Sequence, residues 1–283
     1  MTPRKPVPSH KKKRIASSRS PRKKKKKSLR NMPNWLRNTL ALLVVGAFSV
    51  TFYCFVIRPY SYRWKECYGQ KAYGICLPCC YEVHGIDISH YQGVIDWGKL
   101  TQSHETDFPL HFVFMKATEG GDHGDETFEK NFEEARKHGF IRGAYHFFSP
   151  KTDPLKQAEF FIRTVKLSQG DLPPVLDVEV RGKKTKAELQ QNIKRWLDRV
   201  EDHYGVKPIL YTSYKFKTSY LDDPIFNDYP YWIAHYYVDS VRYEGKWHFW
   251  QHTDIGTVPG IEHDVDLNVF NGTLEELQQL TIK

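Results

Sequence analysis

Acidic residues are missing from the first 38 positions of the chain, and cysteine is missing from the last 203. The 283 residues include 42 Lys and Arg against 33 Asp and Glu, a formal net charge of +9. Fifteen of the basic residues lie within residues 1–38, so the rest of the chain holds 27 (42 less 15) against all 33 acidic residues. An argument from overall charge to nucleic-acid binding therefore applies to the basic tail, residues 1–38, alone.

The basic tail also has few apolar residues and is rich in Lys, Ser and Pro, a composition typical of disordered segments. It could bind nucleic acid, or it could be a signal that keeps this end of the chain in the cytoplasm. The segment that follows it favours the second interpretation, with attraction to anionic lipid head groups. We therefore expect no nucleic-acid partner.

Charge is also missing from residues 39–57, "TLALLVVGAFSVTFYCFVI". Nineteen helical residues span a bilayer core of about 30 Å. A buried core helix and a cleaved signal peptide are the alternatives, but the run is longer than a typical signal core of about 7–15 residues, and no A-x-A-like site follows. We expect an uncleaved, single-pass signal anchor in a bacterial cytoplasmic membrane. The positive charge before it predicts a cytoplasmic N-terminus, with residues 58–283 outside.

Four of the five cysteines crowd into a neck, residues 58–81: Cys67, Cys76, Cys79 and Cys80. One or two disulfides here would staple the neck outside the membrane. A zinc site is the alternative, but the irregular spacing and the lack of a nearby His pair argue against it. The sequence leaves the pairing open, and it also leaves open whether the anchor is cleaved.

From residue 82 onward, apolar strand-like runs alternate with helical patterns. Helices are predicted over residues 125–138, 153–168 and 186–204, with Asp153 as N-cap and Pro154 at the first helical position. The predicted strands cover residues 83–89, 111–118, 142–148, 173–179, 207–213, 230–236, 247–252 and 265–270.

This alternation predicts parallel strands with right-handed crossovers, and eight strands in about 200 residues predict a closed α/β barrel of the (β/α)₈ type. The last three strands leave little room for helices, so we expect a distorted barrel with short loops or antiparallel pairing there. A flat doubly wound sheet is the alternative fold. The predicted barrel domain covers residues 82–283.

Acidic side chains recur near the ends of these strands: Asp87 in "GIDIS", Asp177 and Glu179 in "LPPVLDVEV", and Asp266 in "VDLN". Residues two apart on a strand share a face, so Asp177 and Glu179 are both expected to point inward at the mouth of the barrel. Mutual repulsion and partial burial should raise the pKa of at least one of them. A carboxylic acid kept protonated near neutral pH is the proton donor that glycoside cleavage needs.

Further polar and aromatic residues on the same strands are candidates for binding sugar rings. These are Tyr145, Tyr211, Trp232, His235, Trp250, Gln251 and Asn268. No metal ligand and no cofactor is predicted. Four converging acids do raise the alternative of a hard cation such as Mg²⁺ or Ca²⁺.

Seven stretches, in this order along the chain, resemble the family-25 glycoside hydrolases, the Chalaropsis-type lysozymes or N-acetylmuramidases. They are "HGIDISHYQGVIDW", "FVFMKATEG", "RGAYHFF", "LPPVLDVEV", "ILYTSY", "YWIAHY" and "WQHTDIGTVPGIEHDVDLNVF". The resemblance implies a distorted barrel of five β/α units followed by three strands. It also implies hydrolysis of the β-1,4 bond between N-acetylmuramic acid and N-acetylglucosamine in peptidoglycan.

By the same resemblance Glu179 is the general acid. Asp177 orients the substrate's N-acetyl group, which acts as the nucleophile with retention of configuration, while Asp87 and Asp266 hold the geometry and bind sugar. The implied partners are peptidoglycan strands and, through residues 39–57, the cytoplasmic membrane, and the catalytic domain is expected to be monomeric. The alternatives are a chitinase-like glycosidase, a non-catalytic wall-binding module and a nucleic-acid binder.

Overall fold

The computed structural model describes residues 32–58 and 70–283; the first 31 residues and residues 59–69, with Cys67, lie outside the described residues. The chain divides into two compact units, Met1–Lys65 and Glu66–Lys283. In the first unit, helix α1 covers Asn34–Phe52 and continues as a π-helical segment, Tyr53–Ile57. This apolar helix buries none of its residues within the structure, and it is long enough to cross a membrane.

In the second unit, strand elements and helices alternate along much of the chain. The strands are β1 Lys71–Ala72, β2 Ile75–Cys76, β3 Val83–Ile88, β4 Leu110–Glu119, β5 His123–Gly124, β6 Ile141–Phe147, β7 Val175–Asp177, β8 Ile209–Ser213, β9 Tyr231–Ala234, β10 Phe249–Gly256 and β11 Val265–Phe270. The helices are α2 Trp97–Leu100, α3 Phe128–Lys137, α4 Pro154–Thr164, α5 Lys186–Tyr204, α6 Tyr214–Tyr220 and α7 Leu274–Leu280, with 3₁₀ turns at His90–Gln92, Thr101–Glu105 and Pro224–Phe226.

Eight of these strands form a closed barrel in the order β3-β4-β6-β7-β8-β9-β10-β11, with β11 paired back to β3. Neighbours from β3 through β10 are parallel, whereas β11 is antiparallel to both β10 and β3. The predicted distorted barrel is confirmed. Because β11 runs in the opposite direction, its first residues, rather than its last, lie at the carboxyl ends of the other strands.

All eight predicted strands are present, with shifted ends. The predicted strand 173–179 is reduced to Val175–Asp177, so Glu179 lies just beyond it, and the predicted strand 247–252 begins at Phe249 and extends to Gly256. The three predicted helices also form. Asp153 caps α4 by accepting from the backbone N–H groups of Leu155 and Lys156, as predicted.

Aromatic side chains fill the lower interior of the barrel. Phe112, Phe114, Trp232 and Phe249 pack there, with Phe114 and Trp232 stacked at a ring-centroid distance of 4.4 Å. Glycine on a neighbouring strand makes the space for them, because a Cβ atom on Gly143 would lie 2.4 Å from the Phe114 ring. This aromatic core therefore closes the barrel interior beneath any cavity at the carboxyl ends of the parallel strands.

The described part of the neck packs against the barrel wall. The Tyr73 backbone carbonyl accepts a hydrogen bond from the Thr257 N–H, and the Tyr73 hydroxyl donates to the Phe108 carbonyl at 2.6 Å. The Tyr81 ring lies against Trp247 and Trp250. Among the described cysteines, Cys76 is disulfide-bonded, whereas Cys54, Cys79 and Cys80 are free and exposed.

Candidate active site

A cleft of about 230 Å³ opens at the carboxyl ends of the parallel barrel strands. The four predicted acids lie in its lining, brought together from β3, from β7 with the residues after it, and from the start of β11. Its lining residues are Asp87, Ile88, Ser89, Tyr91, Gln92, Lys116, Tyr145, Phe147, Asp177, Glu179, Tyr211, Trp232, Tyr236, Gln251 and Asp266.

Asp87 is the most strongly held of the acids. Its Oδ2 atom accepts hydrogen bonds from the Gln251 amide at 2.8 Å and from the Asn268 amide at 2.7 Å. Each amide is fixed in turn: Trp232 Nε1 donates to Asn268 Oδ1 at 2.8 Å, and Tyr211 donates to Gln251 Oε1 at 2.7 Å. These donors fix the orientation of the Asp87 carboxylate, because both amides can present only their N–H groups to it.

Asp266 lies directly opposite Asp87 in the antiparallel register of β11 and β3. Burial and the negative charge of Asp87 raise the pKa of Asp266. Burial also raises the pKa of Asp87, but hydrogen bonds from the two amides and from Asp266 partly offset this rise. The proton of the pair therefore resides on Asp266, which donates toward Asp87. This arrangement removes one negative charge from the cleft at neutral pH.

Asp177 and Glu179 differ in their surroundings although they are two residues apart. Asp177 is buried at the end of β7; burial and then the charge of Glu179 raise its pKa well above the ordinary value, and its Oδ1 atom has no hydrogen-bond partner among the described residues. Glu179 is exposed at the cleft mouth, yet the surrounding walls desolvate it enough to raise its pKa, although the nearby Tyr211 hydroxyl opposes this rise. The expected upward shift is thus present for both acids.

Lys116, on β4, supplies a cation to this acidic cleft. Its Nζ atom lies 2.6 Å from the Glu119 carboxylate, and its side chain is only 10% exposed. It lowers the pKa of both Asp177 and Glu179, in each case against the larger effect of burial. The cleft therefore combines four acids with an ammonium that limits how far their pKa values rise.

Most of the predicted sugar-binding residues reach the cleft or support it. Tyr145, Tyr211, Trp232 and Gln251 line it, and Asn268 lies behind Asp87 without joining the lining. Among the described residues, no group of three or more His, Cys, Asp or Glu side chains is arranged to hold a metal ion.

Two predicted binding residues need correction. Trp250 is fully buried on the other face of β10, where its indole N–H donates to the His235 carbonyl and its ring lies 5.9 Å from that of Tyr81. The His235 ring stacks on Tyr214 at 4.7 Å and does not line the cleft. Both sit beside residues that do point inward, Gln251 and Tyr236, because side chains alternate along a strand.

Tyr236 and Lys116 are among the cleft-lining residues that the list of candidates missed. Tyr236 donates to Gln251 Oε1 at 2.6 Å and so helps to fix the amide that holds Asp87. It lies four residues after Trp232, a spacing that places both on one face of an extended segment. Lys116 pairs in register with Tyr145, which was already expected to face inward.

Comparison with known proteins agrees with this geometry. Residues 86–261 match the model of the glycosyl hydrolases family 25. The chain is 44% identical over 243 residues to the uncharacterised protein YegX of Escherichia coli K12, covering 86% of each chain. It is 30% identical over 213 residues to lysozyme M1 of Streptomyces globisporus, covering 70% of this chain and 71% of that one.

A solved structure supports the same assignment. The fold matches a family 25 glycosyl hydrolase from Bacillus anthracis with a TM-score of 0.65 and 36% identity, covering 71% of this chain and 94% of that one. The matching family model spans most of the barrel, including Asp87, Asp177 and Glu179. With the closed barrel and the acidic cleft, these similarities establish that the chain belongs to glycosyl hydrolase family 25.

Proposed function

We propose that this glycoside hydrolase is a lysozyme of the N-acetylmuramidase type, which cleaves the β-1,4 bond between N-acetylmuramic acid and N-acetylglucosamine in peptidoglycan. The observation that carries the proposal is the pair Asp177 and Glu179, two carboxylic acids with raised pKa values in one cleft of a family 25 barrel. Lysozyme M1, named above, supports the choice of substrate.

Glu179 is the proposed general acid. Its raised pKa keeps a proton available near neutral pH, and its exposed position at the cleft mouth lets it reach the oxygen of a bound glycosidic bond. As the bond from the anomeric carbon to the leaving oxygen breaks, the proton passes from Glu179 to that oxygen. The resulting Glu179 carboxylate then accepts a proton from the water that completes hydrolysis.

Asp177 is the proposed partner of the substrate's N-acetyl group. Its buried Oδ1 atom has no partner in the described structure, so it can accept a hydrogen bond from the N-acetyl N–H. The N-acetyl oxygen would then attack the anomeric carbon as the leaving group departs, and water would open the resulting ring with overall retention. An unpaired buried acceptor is costly unless a ligand satisfies it, which supports this role.

Asp87 and Asp266 are proposed as positioning and sugar-binding residues rather than as nucleophiles. The Asp87 carboxylate is fixed by Gln251 and Asn268, and the Asp266 carboxyl holds a proton beside it. A carboxylate with two amide donors is poorly suited to attack carbon but well suited to accept a hydrogen bond from a sugar hydroxyl.

The test is turbidity clearing of purified cell walls by the Glu179→Gln variant of the full chain, with Glu126→Gln, a change at an exposed acid outside the cleft lining, as matched control. Loss of the proton donor should lower the rate by roughly 10²–10⁴-fold without lowering the melting temperature. The control should clear normally. Near-normal clearing by Glu179→Gln would overturn its role, and N-acetylglucosamine at the reducing ends of the products would identify a glucosaminidase instead.

We further propose that residues 39–57, within the helix over Asn34–Ile57, anchor the enzyme in the cytoplasmic membrane, with residues 1–38 inside and the barrel outside. Its exposed apolar side chains and the basic residues before it support this topology. Cys79 and Cys80 are free and exposed, so they report on the location of the neck. A membrane-impermeant maleimide should label them in intact spheroplasts, whereas labelling only after permeabilisation would contradict the proposed orientation.

A further inference from the structure

A group of cations lies on the rim of the cleft, on the segments that follow β6, β7 and β8. This cationic rim consists of Lys151, Arg181, Lys183, Lys184 and Lys215. The segments touch one another: a Cβ atom on Gly182 would lie 3.0 Å from Pro150, and the Arg181 guanidinium lies over the Tyr220 ring at 5.7 Å. The cationic rim is thus one continuous surface, and its central segment begins directly after Glu179.

The cations of this rim are not used by ion pairs in the described structure. None of the five lies within 4.0 Å of a carboxylate of a described residue, although Lys184 is near enough to the exposed Glu188 to lower its pKa. Two other nearby acids are engaged elsewhere, Asp153 with Arg195 and Asp222 with Lys186. Arg181 instead braces the segment by donating to the Lys184 carbonyl. Lys151, Lys183 and Lys215 are exposed. Their charges are therefore available to a ligand.

The opposite rim of the cleft has the opposite charge. In the circular strand order, β11 lies across the barrel from β7, and the hairpin between β10 and β11 bears the exposed acids Glu262 and Asp264, with Asp254 at its start. A ligand in the cleft thus lies between a cationic and an anionic wall. Such a field favours a neutral chain with acidic branches on one side and disfavours an extended polyanion such as nucleic acid.

We propose that the cationic rim binds the carboxylates of the peptide stems of peptidoglycan, so that the enzyme prefers glycan strands that carry stems over bare strands. This inference rests on the proposed muramidase activity, because a stem attached to N-acetylmuramic acid beside Glu179 would reach the segment that starts there. On a strand without stems, each N-acetylmuramic acid keeps only the carboxylate of its lactyl group, which lies on the sugar itself. The cations of the rim would therefore lose the more distant carboxylates that a stem supplies.

The experiment compares two substrates, intact glycan strands and the same strands after an amidase has removed the stems. The variant is Lys183→Glu/Lys184→Glu in the full chain, and the matched control is Lys130→Glu/Lys246→Glu, which reverses two exposed charges on α3 and before β10. The cationic-rim variant should raise KM about tenfold on intact strands and change KM much less on bare strands, whose remaining lactyl carboxylates lie on the glycan itself. The wild-type preference should shrink in high salt, which screens exposed charges.

Each result bears on a separate claim. Equal kinetics of wild type and variant on both substrates would overturn the stem-binding inference while leaving the muramidase proposal intact. A second measurement uses sedimentation of intact strands with the Glu179→Gln variant, with and without the two charge reversals. If the charge reversals weaken binding of the strands while the wild type itself does not cleave them, the muramidase proposal fails and the stem-binding inference stands.

Discussion

The acids of the cleft and the histidines on the outer wall of the same barrel are two buried titratable clusters whose pKa values shift in opposite directions. In the cleft, burial raises the pKa values of Asp177 and Asp266, whereas on the outer wall burial lowers the pKa of His84 to about 4 and that of His252 to about 3. Both clusters favour their neutral forms for the same reason, because removal from water penalises charge.

The two clusters differ in what surrounds them. The cleft supplies amide donors, an ammonium and an opening to solvent, so that its acids are accessible to a ligand. On the outer wall neither ring nitrogen of His84 has a hydrogen-bond partner among the described residues, and the ring packs edge-on against Phe108. The comparison teaches that a shifted pKa marks a catalytic group only where an access route accompanies it.

The two clusters also have opposite effects on how the free energy of unfolding depends on pH. An acid whose folded pKa is raised keeps its proton in the fold, so it disfavours folding once pH exceeds its unfolded value near 3.8. A histidine whose folded pKa is lowered disfavours folding once pH falls below its unfolded value near 6.5, with the cost growing until about pH 4 for His84. Variants that remove one cluster at a time separate the two effects.

Among the variants that separate the two clusters, Asp177→Asn should have the largest effect. An amide cannot become a carboxylate as the N-acetyl group gains positive charge, so the clearing rate should fall by roughly 10²–10³-fold. The same variant should be more stable than wild type at pH 7, because an amide avoids the cost of keeping an acid protonated in the fold, and this gain should vanish as pH falls to about 3.8. Urea unfolding at pH 7 and pH 4 measures it.

The control for this variant is Asp202→Asn, at an exposed position on α5, which should alter neither rate nor stability. A stable Asp177→Asn enzyme with wild-type clearing would show that the acid has no part in the reaction. A loss of activity without any gain in stability at pH 7 would show that its pKa is not raised in the fold.

The next effect concerns acid stability on the outer wall. The His84 ring should cost the wild type roughly 2 kcal/mol of unfolding free energy between pH 7 and pH 4.5, because the unfolded chain takes up the proton and the fold does not. His84→Phe should remove that part of the pH dependence. The exposed His263 is the matched control, and its change to Phe should leave the slope unaltered. Identical slopes for all three proteins would exclude the proposed linkage.

The smallest expected effect is a shift in the pH profile from Lys116. Its removal in Lys116→Met should raise the pKa values of Asp177 and Glu179. The alkaline limb of the pH profile of kcat/KM should therefore shift to higher pH. Lys116→Arg keeps the charge and should keep the profile. If both variants show the wild-type profile, Lys116 serves only the packing of the cleft.

Much of the fold could be predicted from the sequence, because the alternation of apolar runs and capped helices is a local signal. Asp153 and Pro154 marked the start of α4, and the apolar runs located all eight barrel strands. Strand ends were harder to predict. The stretch "LPPVLDVEV" suggested a strand to residue 179, but regular pairing stops at Asp177, where β7 gives way to the cleft loop.

The site was less predictable where it depended on which face a side chain occupies. Trp250 and Gln251 were both expected in the cleft, although neighbours on a strand point to opposite faces, and only Gln251 lines it. Alternation alone would not have settled every position on β10, because a register shift between Gln251 and Thr253 interrupts its pairing with β11. Such irregularities depend on tertiary packing and leave no mark in the residue pattern.

The closure of the barrel by β11, the last strand of the chain to be made, determines when the acid network is assembled. Asp87 is made early in synthesis, but the side chains that fix it, Gln251 and Asn268, and its proton partner Asp266 all come from the last quarter of the barrel sequence. Barrel closure and assembly of the acid network are therefore one event, completed only when β11 pairs with β3. A nascent chain carries the parts of this acid network separately until almost all of it has been made.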